Sequence, residues 1–401
     1  MKRHRWSLAL GALGLLIPSV SANAEDLKPL QLQTLLSSTT LGGYVDTSMI
    51  WQASGGRTDV ARSYDGGDRQ NGFNMNVTQL NLDRPLSDGD WSAGYKISLI
   101  AGPDAQAAAG TGGSPFGIHN AFVKLHAPVG NGLNVKVGVF SSIVGYEYFE
   151  SYKNANYSHS YGFYLEPGRQ TGVVADYRVN DVLSFSVGAG NAYSPGRANV
   201  RPLEDRGGSL TQANGKLNLM GSFSLTAPSK NGAWAYGTFE RGTTGVPGTL
   251  GIKATEYFLG IGLPTAISGL DLVLTYDHTD SDRTGDAREP GYPPHYATAA
   301  SLYLNYKATD KLTLSNRFDW ATGAAGAFGA DATGKAPGSE DKYIADVLTI
   351  SYPFWTNVTT RAELRWDHDR SEQAGGRFAF GSGPQGVRNG FSLGVNIVYV
   401  F

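Results

Sequence analysis

The stretch VTTRAELRWDHD, residues 358–369, sets Arg361, Glu363, Arg365 and Asp367 two residues apart. On an extended strand that spacing puts all four on one face, because successive side chains point to opposite sides. Alternating guanidinium and carboxylate groups in a row can bind ions, orient dipolar solutes or pair with one another. The same count in LTLSNRFDW, residues 312–320, puts Thr313, Ser315, Arg317 and Asp319 on one face. Elsewhere Lys96, Lys124, Lys136, Asp176, Arg178, Lys216, Asp271, Asp277 and Lys307 take equivalent positions. A packed core does not tolerate such a row unpaired, so the expectation is a mixed, slightly basic face turned to water.

Catalytic chemistry finds less support. His278 and His368 stand beside Asp277 and Asp367, but no serine on an identifiable neighbouring strand completes a nucleophile and base pair. The single GxSxG match, GFSLG at residues 390–394, lies in a run of strand period rather than on a strand-to-helix elbow, and an HExxH helix and a phosphate-cradling glycine loop are missing from the sequence, so it predicts no enzyme and no cofactor. In DHTDSDRTGD, residues 277–286, the positions of Asp280, Asp282 and Asp286 have the look of a calcium loop. The closing glutamate of such a loop is missing, which makes a solvated acidic loop the better reading and these three only a weak metal candidate.

The elements that carry these residues are strands. In GFSLGVNIVYVF, residues 390–401, Phe391, Leu393, Val395, Ile397, Tyr399 and Phe401 alternate with small or polar residues, the period of a strand with one apolar face. Similar alternation runs through Trp91 to Leu99, Leu133 to Val139, Leu183 to Ala189, Tyr257 to Leu263, Leu270 to Tyr276 and Leu312 to Trp320. Near 73–84 it breaks, with Met75 and Val77 out of phase with Leu80 and Leu82, and a bulge there would restore the phase.

Connections between the strands alternate in length. Short turns, such as those at Pro128 to Gly132 and Thr309 to Lys311, interleave with long Gly-rich segments near 53–72, 101–117, 141–168, 193–213, 242–252, 280–295, 322–340 and 369–388. The count is about sixteen antiparallel strands with both termini on the short-turn side, as in outer-membrane barrels with short periplasmic turns and long external loops. Apart from the leader, no segment is apolar and long enough for a spanning helix, so a membrane form must be a closed up-and-down β-barrel.

The N-terminus supplies the route. Lys2, Arg3 and Arg5 precede an apolar run from Trp6 to Val20, and Ala22-Asn23-Ala24 follows, the pattern of a secretory signal peptide cut after Ala24. The expected organisation is residues 1–24 as signal peptide, 25–40 as a short periplasmic segment with helix potential, and 41–401 as the barrel. The chain of 401 residues has a net charge of −2, and loss of those three cationic residues takes it to −5. That balance argues against nucleic acid as a partner. Cys 0 excludes disulfides and thiolate sites.

Barrels of sixteen to eighteen strands leave an aqueous channel, so a diffusion pore for small hydrophilic solutes is the physical default. Its lining would be Lys96, Lys124, Lys136, Arg178, Lys216, Lys307, Arg317, Asp319, Arg361, Glu363, Arg365 and Asp367. The third long connection, 141–168, packs eight aromatics among charges. Leaving that area in open solvent is costly, so the loop should enter the mouth and constrict it through Tyr146, Glu147, Tyr148, Phe149, Glu150, Tyr152 and Lys153. The competing placement is an outer interfacial girdle.

These segments resemble a known family. YVDTSMIW, FNMNVTQLNLDRPLSDGDWSAGYK, KVGVF, VGYE, NANYSHSYGF, LEP and TGVVADY occur in that order and are similar to the OmpL-like family of outer-membrane β-barrel porins. The likeness covers most of the first half after the leader and thins to alternation beyond. It departs at Ser141-Ser142-Ile143-Val144-Gly145, where the family has Thr-Pro. The resemblance implies an outer-membrane porin-like channel and no particular solute. A final aromatic, Phe401, likewise resembles the signal read by the barrel assembly machinery. Outer-membrane lipid and lipopolysaccharide of a Gram-negative bacterium are the further expected partners; a homotrimer is common at this size but undecided by sequence. The runner-up readings are a solute-specific channel, for example for sugars, a surface or adhesion barrel with a plugged lumen, and, third, an enzyme.

Overall fold

The computed structural model describes residues 38–53, 71–109, 114–193, 198–204, 212–213, 215–228, 232–244, 252–282, 296–328, 339–371, 378–380 and 386–401. The leader and most of the 25–40 segment lie outside them.

Sixteen strands close one barrel. They are β1 Thr40–Gln52, β2 Gly72–Arg84, β3 Ser92–Ala101, β4 Phe116–Ala127, β5 Leu133–Ser141, β6 Arg169–Arg178, β7 Leu183–Gly190 and β8 Asn218–Thr226, followed by β9 Trp234–Thr243, β10 Lys253–Pro264, β11 Leu270–Asp282, β12 Tyr296–Lys307, β13 Thr313–Ala324, β14 Glu340–Trp355, β15 Val358–Asp369 and β16 Asn389–Val400. Each pairs antiparallel with the next and β16 returns to β1. A two-residue ladder, Leu203–Glu204 with Gln212–Ala213, sits apart in the fourth long connection.

The alternation sorts the residues between lipid and lumen. On β16, Phe391, Leu393, Val395, Ile397 and Tyr399 are exposed while Ser392, Asn396 and Val398 are buried inside. The barrel closes at its end: the Gly43 amide donates to the Phe401 carbonyl at 2.9 Å and the Phe401 amide returns the bond at 3.0 Å. The Phe401 ring lies so close over Gly43 that a Cβ there would stand 2.8 Å from ring carbon Cζ, so this position favours glycine.

The phase break in β2 is a bulge. The β1–β2 register slips at Asp46/Thr47, leaving Asn76 unopposed, and both Asn76 and Val77 face inward. A second slip between β3 and β4 leaves His119 unopposed. Two short helices were not expected beyond residue 40: α1 Pro103–Ala109 and α2 Tyr161–Leu165. Both lie inside long connections, too short to show a period of their own. Ser160 caps α2, its hydroxyl accepting from the Phe163 amide.

The outer wall carries a hydrogen-bonded polar pair at β13 and β14. The Asn316 side-chain amide donates to Asp346 at 2.7 Å, while Phe318 and Leu348 around them are exposed.

Candidate functional site

The third long connection (loop 3, residues 142–168) runs inside the barrel and is held there by the wall. Its backbone turns through a short 3-10 segment, Ser151–Lys153, and α2. Asn154 shapes the bend, accepting from the Tyr148 amide at 2.8 Å and donating to the Tyr148 carbonyl at 2.7 Å. Side chains of the wall then capture the main chain. Arg361 donates to the carbonyls of Ser151, Asn154 and Asn156 at 2.8, 3.0 and 3.2 Å. Glu363 accepts from the amides of Tyr157 and Ser158 at 2.7 and 3.1 Å and from Thr349 at 2.8 Å. Arg317 donates to the carbonyls of Ser158 and His159 and pairs with Glu147 at 3.0 Å. Arg365 donates to the His159 carbonyl at 2.8 Å and pairs with Asp367, which also accepts from the Tyr161 hydroxyl.

This overturns one expectation. Arg317, Asp319, Arg361, Glu363, Arg365 and Asp367 do point inward, but all six are at most 3% exposed, sealed between wall and loop rather than bathed in lumen water. The alternation of sign along a strand lets two of the three arginines pair with the carboxylate two residues on, Arg317 with Asp319 at 3.0 Å and Arg365 with Asp367 at 2.8 Å, while Arg361 donates its Nε to Asn396 at 2.9 Å. Most of the remaining donors go to loop carbonyls and to the Ser158 hydroxyl. Buried charges are costly unless they are partnered and hydrogen-bonded in this way.

Opposite walls hold the loop as well. Asp46 of β1 accepts from the Ser151 hydroxyl, Gln79 of β2 donates to Glu150 at 3.4 Å, and the Tyr236 hydroxyl of β9 donates to the Ile143 carbonyl. Phe149 packs on His119 of β4, ring centroids 4.3 Å apart, and Tyr152 on Tyr44 at 4.9 Å. Glycine makes room where a carboxylate meets the loop: a Cβ on Gly145 would strike Glu166, and one on Gly162 would strike Asp277. Glu166 is pushed well above the usual carboxylate range by burial and by Asp277, Glu147 and Glu256 around it.

Towards the external mouth, Tyr161 joins Phe328, Tyr343 and Phe380, seated against the wall alanines Ala297, Ala299, Ala321 and Ala345. Towards the periplasmic side, Tyr146 lies parallel to Trp234 with centroids 6.1 Å apart and meets Tyr303 edge-on at 4.9 Å. Trp234, Tyr236 and Phe258 were outside the sequence reading. Their inward parity on β9 and β10 was the available signal, and the glycines between them blurred it.

The other named residues part into two groups. Lys96, Lys124 and Lys136 face the lumen from β3, β4 and β5; Lys124 pairs with Asp83 at 2.7 Å. On the loop, Lys153 pairs with Glu150 at 3.3 Å. Burial alone would raise Glu150, yet Lys153, His119 and Lys96 hold its carboxyl well below the usual range. The expected lining by Arg178, Lys216 and Lys307 is corrected: Arg178 is exposed and paired with Asp181 at the turn, Lys307 is exposed beside Asp310, and Lys216 precedes β8 and is exposed. They stand beyond or at the strand ends, where inward parity no longer means enclosure.

His278 and His368 stay on the outer face, bonded to Thr298 and Asn389 at 2.8 Å each. Asp280 lies 3.3 Å from His278, the Asp282 side chain and Asp286 are outside the described residues, and no metal-competent group of three acids or histidines occurs among those described.

The likeness to known structures follows the geometry. An anion-selective porin from Comamonas acidovorans aligns with a TM-score of 0.61 at 14% identity, covering 91% of this chain and 99% of that one. OmpF of Salmonella typhi, in complex with daunomycin, aligns at 0.56 and 14% identity over 90% and 97%. OmpT of Vibrio cholerae in its trimer form aligns at 0.54 and 13% identity over 90% and 99%. At these identities the likeness is one of fold. No curated protein matches the sequence. The model of the "Putative beta-barrel porin-2, OmpL-like" family matches residues 38–401, so that the whole barrel, from its first strand to Phe401, belongs to that family of outer-membrane porins.

Proposed function

We propose that this porin conducts small hydrophilic solutes and ions passively, through the space between the half-buried edge of loop 3, Tyr146 to Lys153, and the wall of β3 to β6. The carrying observation is a closed sixteen-strand barrel whose internal loop is clamped most densely to β12–β15. A barrel of that girth, unlike an eight-stranded one, leaves room for water beside the loop. Its role is a channel rather than an enzyme: the histidines beside carboxylates are spent on Thr298 and Asn389. Export through a leader cut after Ala24, recognition of Phe401 by the barrel assembly machinery, and lipid and lipopolysaccharide around the outer wall complete this reading. A homotrimer fits the Asn316–Asp346 pair, which a protein neighbour covers at less cost than lipid does.

Single-channel recording of the refolded protein in a planar bilayer tests it, with reversal potential read under a salt gradient. Stable steps are expected; silence from a protein shown to be folded would mean a plugged barrel and move the adhesion reading ahead. A solute-specific channel is the second reading, favoured by the half-buried Tyr146, held by Trp234 and Tyr303, a ring on which a sugar can lie. Current block by neutral oligosaccharides, lost in Trp234→Ala, would select it.

A further inference from the structure

The lumen holds two kinds of cation. The arginines are spent on partners, with only one Nη of Arg361 left without a hydrogen bond among the described residues. The lysines of β3 to β5 are not, and their placement works against the fold. Lys124 and Lys136 stand directly opposite each other across β4 and β5, a like-charge pair that is destabilising in a sheet. Lys96 stands opposite Phe122, two residues before Lys124 on the same face.

Their counter-charges are incomplete. Asp83 pairs with Lys124 and Glu150 with Lys153. Among the described residues Lys96 and Lys136 have no ion-pair or hydrogen-bond partner. Both are at least nine-tenths buried, at 9% and 4% exposure. Lys136 is further held with its Nζ 5.1 Å from the ring centroids of both Phe122 and Phe140. Asp176 on β6 accepts from Ser186 at 2.6 Å and makes no ion pair with Lys136. Four ammonium groups thus face three carboxylates, Asp83, Glu150 and Asp176, with one positive charge in excess.

A folded chain has no reason of its own to retain a cross-strand lysine pair and two unpaired ammonium tips on one patch of wall. Ring faces fix the direction of Lys124, Lys136 and Lys153, and the low dielectric of the enclosure strengthens the attraction of the patch for any anion that enters. One net charge, rather than several, suits a transit point: it attracts an anion and lets it leave.

We propose that Lys96, Lys124 and Lys136, with Lys153 across the gap, form a binding site in the pore for the anionic oxygen group, carboxylate or phosphate, of a small solute. The inference rests on the porin reading and names its solute class.

The test uses the full chain in planar bilayers. Wild type is expected to prefer chloride over potassium under a salt gradient, and inorganic phosphate or acetate, added in separate arms, should reduce the chloride current in a saturable way. The stronger blocker identifies the oxyanion class. The double variant Lys96→Gln/Lys136→Gln, with folding checked by heat-shifted gel mobility, should lose the saturable block and reduce anion preference several-fold. Lys311→Gln, at an exposed turn, should change neither. Retention of block and preference in the double variant, or cation preference in wild type, overturns the site. Absence of channel steps in folded wild type overturns the porin reading itself.

Discussion

The walls β13–β15 and β3–β5 carry similar numbers of inward cations but use them for opposite purposes. On the first, Arg317 and Arg365 spend their donors on carboxylates and on loop 3, and Arg361 on Asn396 and the loop 3 carbonyls of Ser151, Asn154 and Asn156. On the second, Lys96 and Lys136 have no ion-pair or hydrogen-bond partner among the described residues and Lys124 opposes Lys136. The difference follows from the side chains. A guanidinium has a planar fork of five donors and can bridge a carboxylate and main-chain carbonyls at once, whereas an ammonium is a compact point charge on a flexible stem. Arginine therefore suits a wall that must grip a loop, and lysine a wall that must meet a passing ion. A barrel can divide its lumen between structure and transport in this way without changing its strand pattern.

The sharpest way to break that contrast is to remove an anchor. Arg317→Ala would leave Asp319 and Glu147 buried without a cation and free two loop carbonyls; loss of a buried partner costs about 3–5 kcal/mol. The expected result is a lower unfolding temperature, cleavage of loop 3 by added protease and a higher single-channel conductance. An unaltered conductance with intact loop 3 would show that the clamp is redundant.

Next comes the fit of the loop to its carboxylates. Gly145 has φ +104° and no room for a Cβ beside Glu166, and Gly162 has none beside Asp277. Gly145→Ala or Gly162→Ala should cost roughly 1–3 kcal/mol, the range for forced overpacking, measurable by denaturant unfolding. A neutral result at both would mean that the loop reseats freely.

The loop's titration should be visible in its noise. Burial and three neighbouring acids raise Glu166 well above the ordinary glutamate value of 4.5. The native state therefore keeps a proton that the unfolded chain releases, so the stabilisation is complete below that value and is lost as pH rises through the native one. Current fluctuations should grow as pH is raised, and Glu166→Gln should flatten the dependence. Growth of noise on acidification instead would contradict this assignment.

The smallest effect belongs to the lysine wall. Lys136→Gln removes the cross-strand repulsion and should leave stability equal or up to about 1 kcal/mol higher, as read by thermal unfolding. A loss comparable to that of Arg317→Ala would erase the distinction between the two walls.

Much of this was legible in the chain. Parity at Phe391 to Tyr399 assigned the lipid face, and the phase break between Val77 and Leu80 announced the bulge at Asn76. Density of aromatics between Tyr146 and Tyr164 pointed to an internal loop. Parity also placed Arg317 and Arg361 to Asp367 inward, but it could not tell a wet interior from a sealed one. That depends on whether another segment occupies the space opposite, and the occupying segment lies some 200 residues earlier, with Ser158 bonded to Arg365 at |i−j| = 207. Nor could parity show that Arg178 and Lys307 stop short of the enclosure, because a strand's end is set by its neighbours.

By itself, then, the amino-acid order determined what is local and periodic: the strands, their two faces, the alternation of turn lengths and the barrel these require once every backbone group must be bonded within lipid. Tertiary structure decided which charges meet the loop and which meet the lumen. Contacts across a closed barrel join residues that no sequence period relates, and only closure brings Glu363 to the amides of Tyr157 and Ser158 while leaving Lys96 and Lys136 without an ion-pair or hydrogen-bond partner among the described residues.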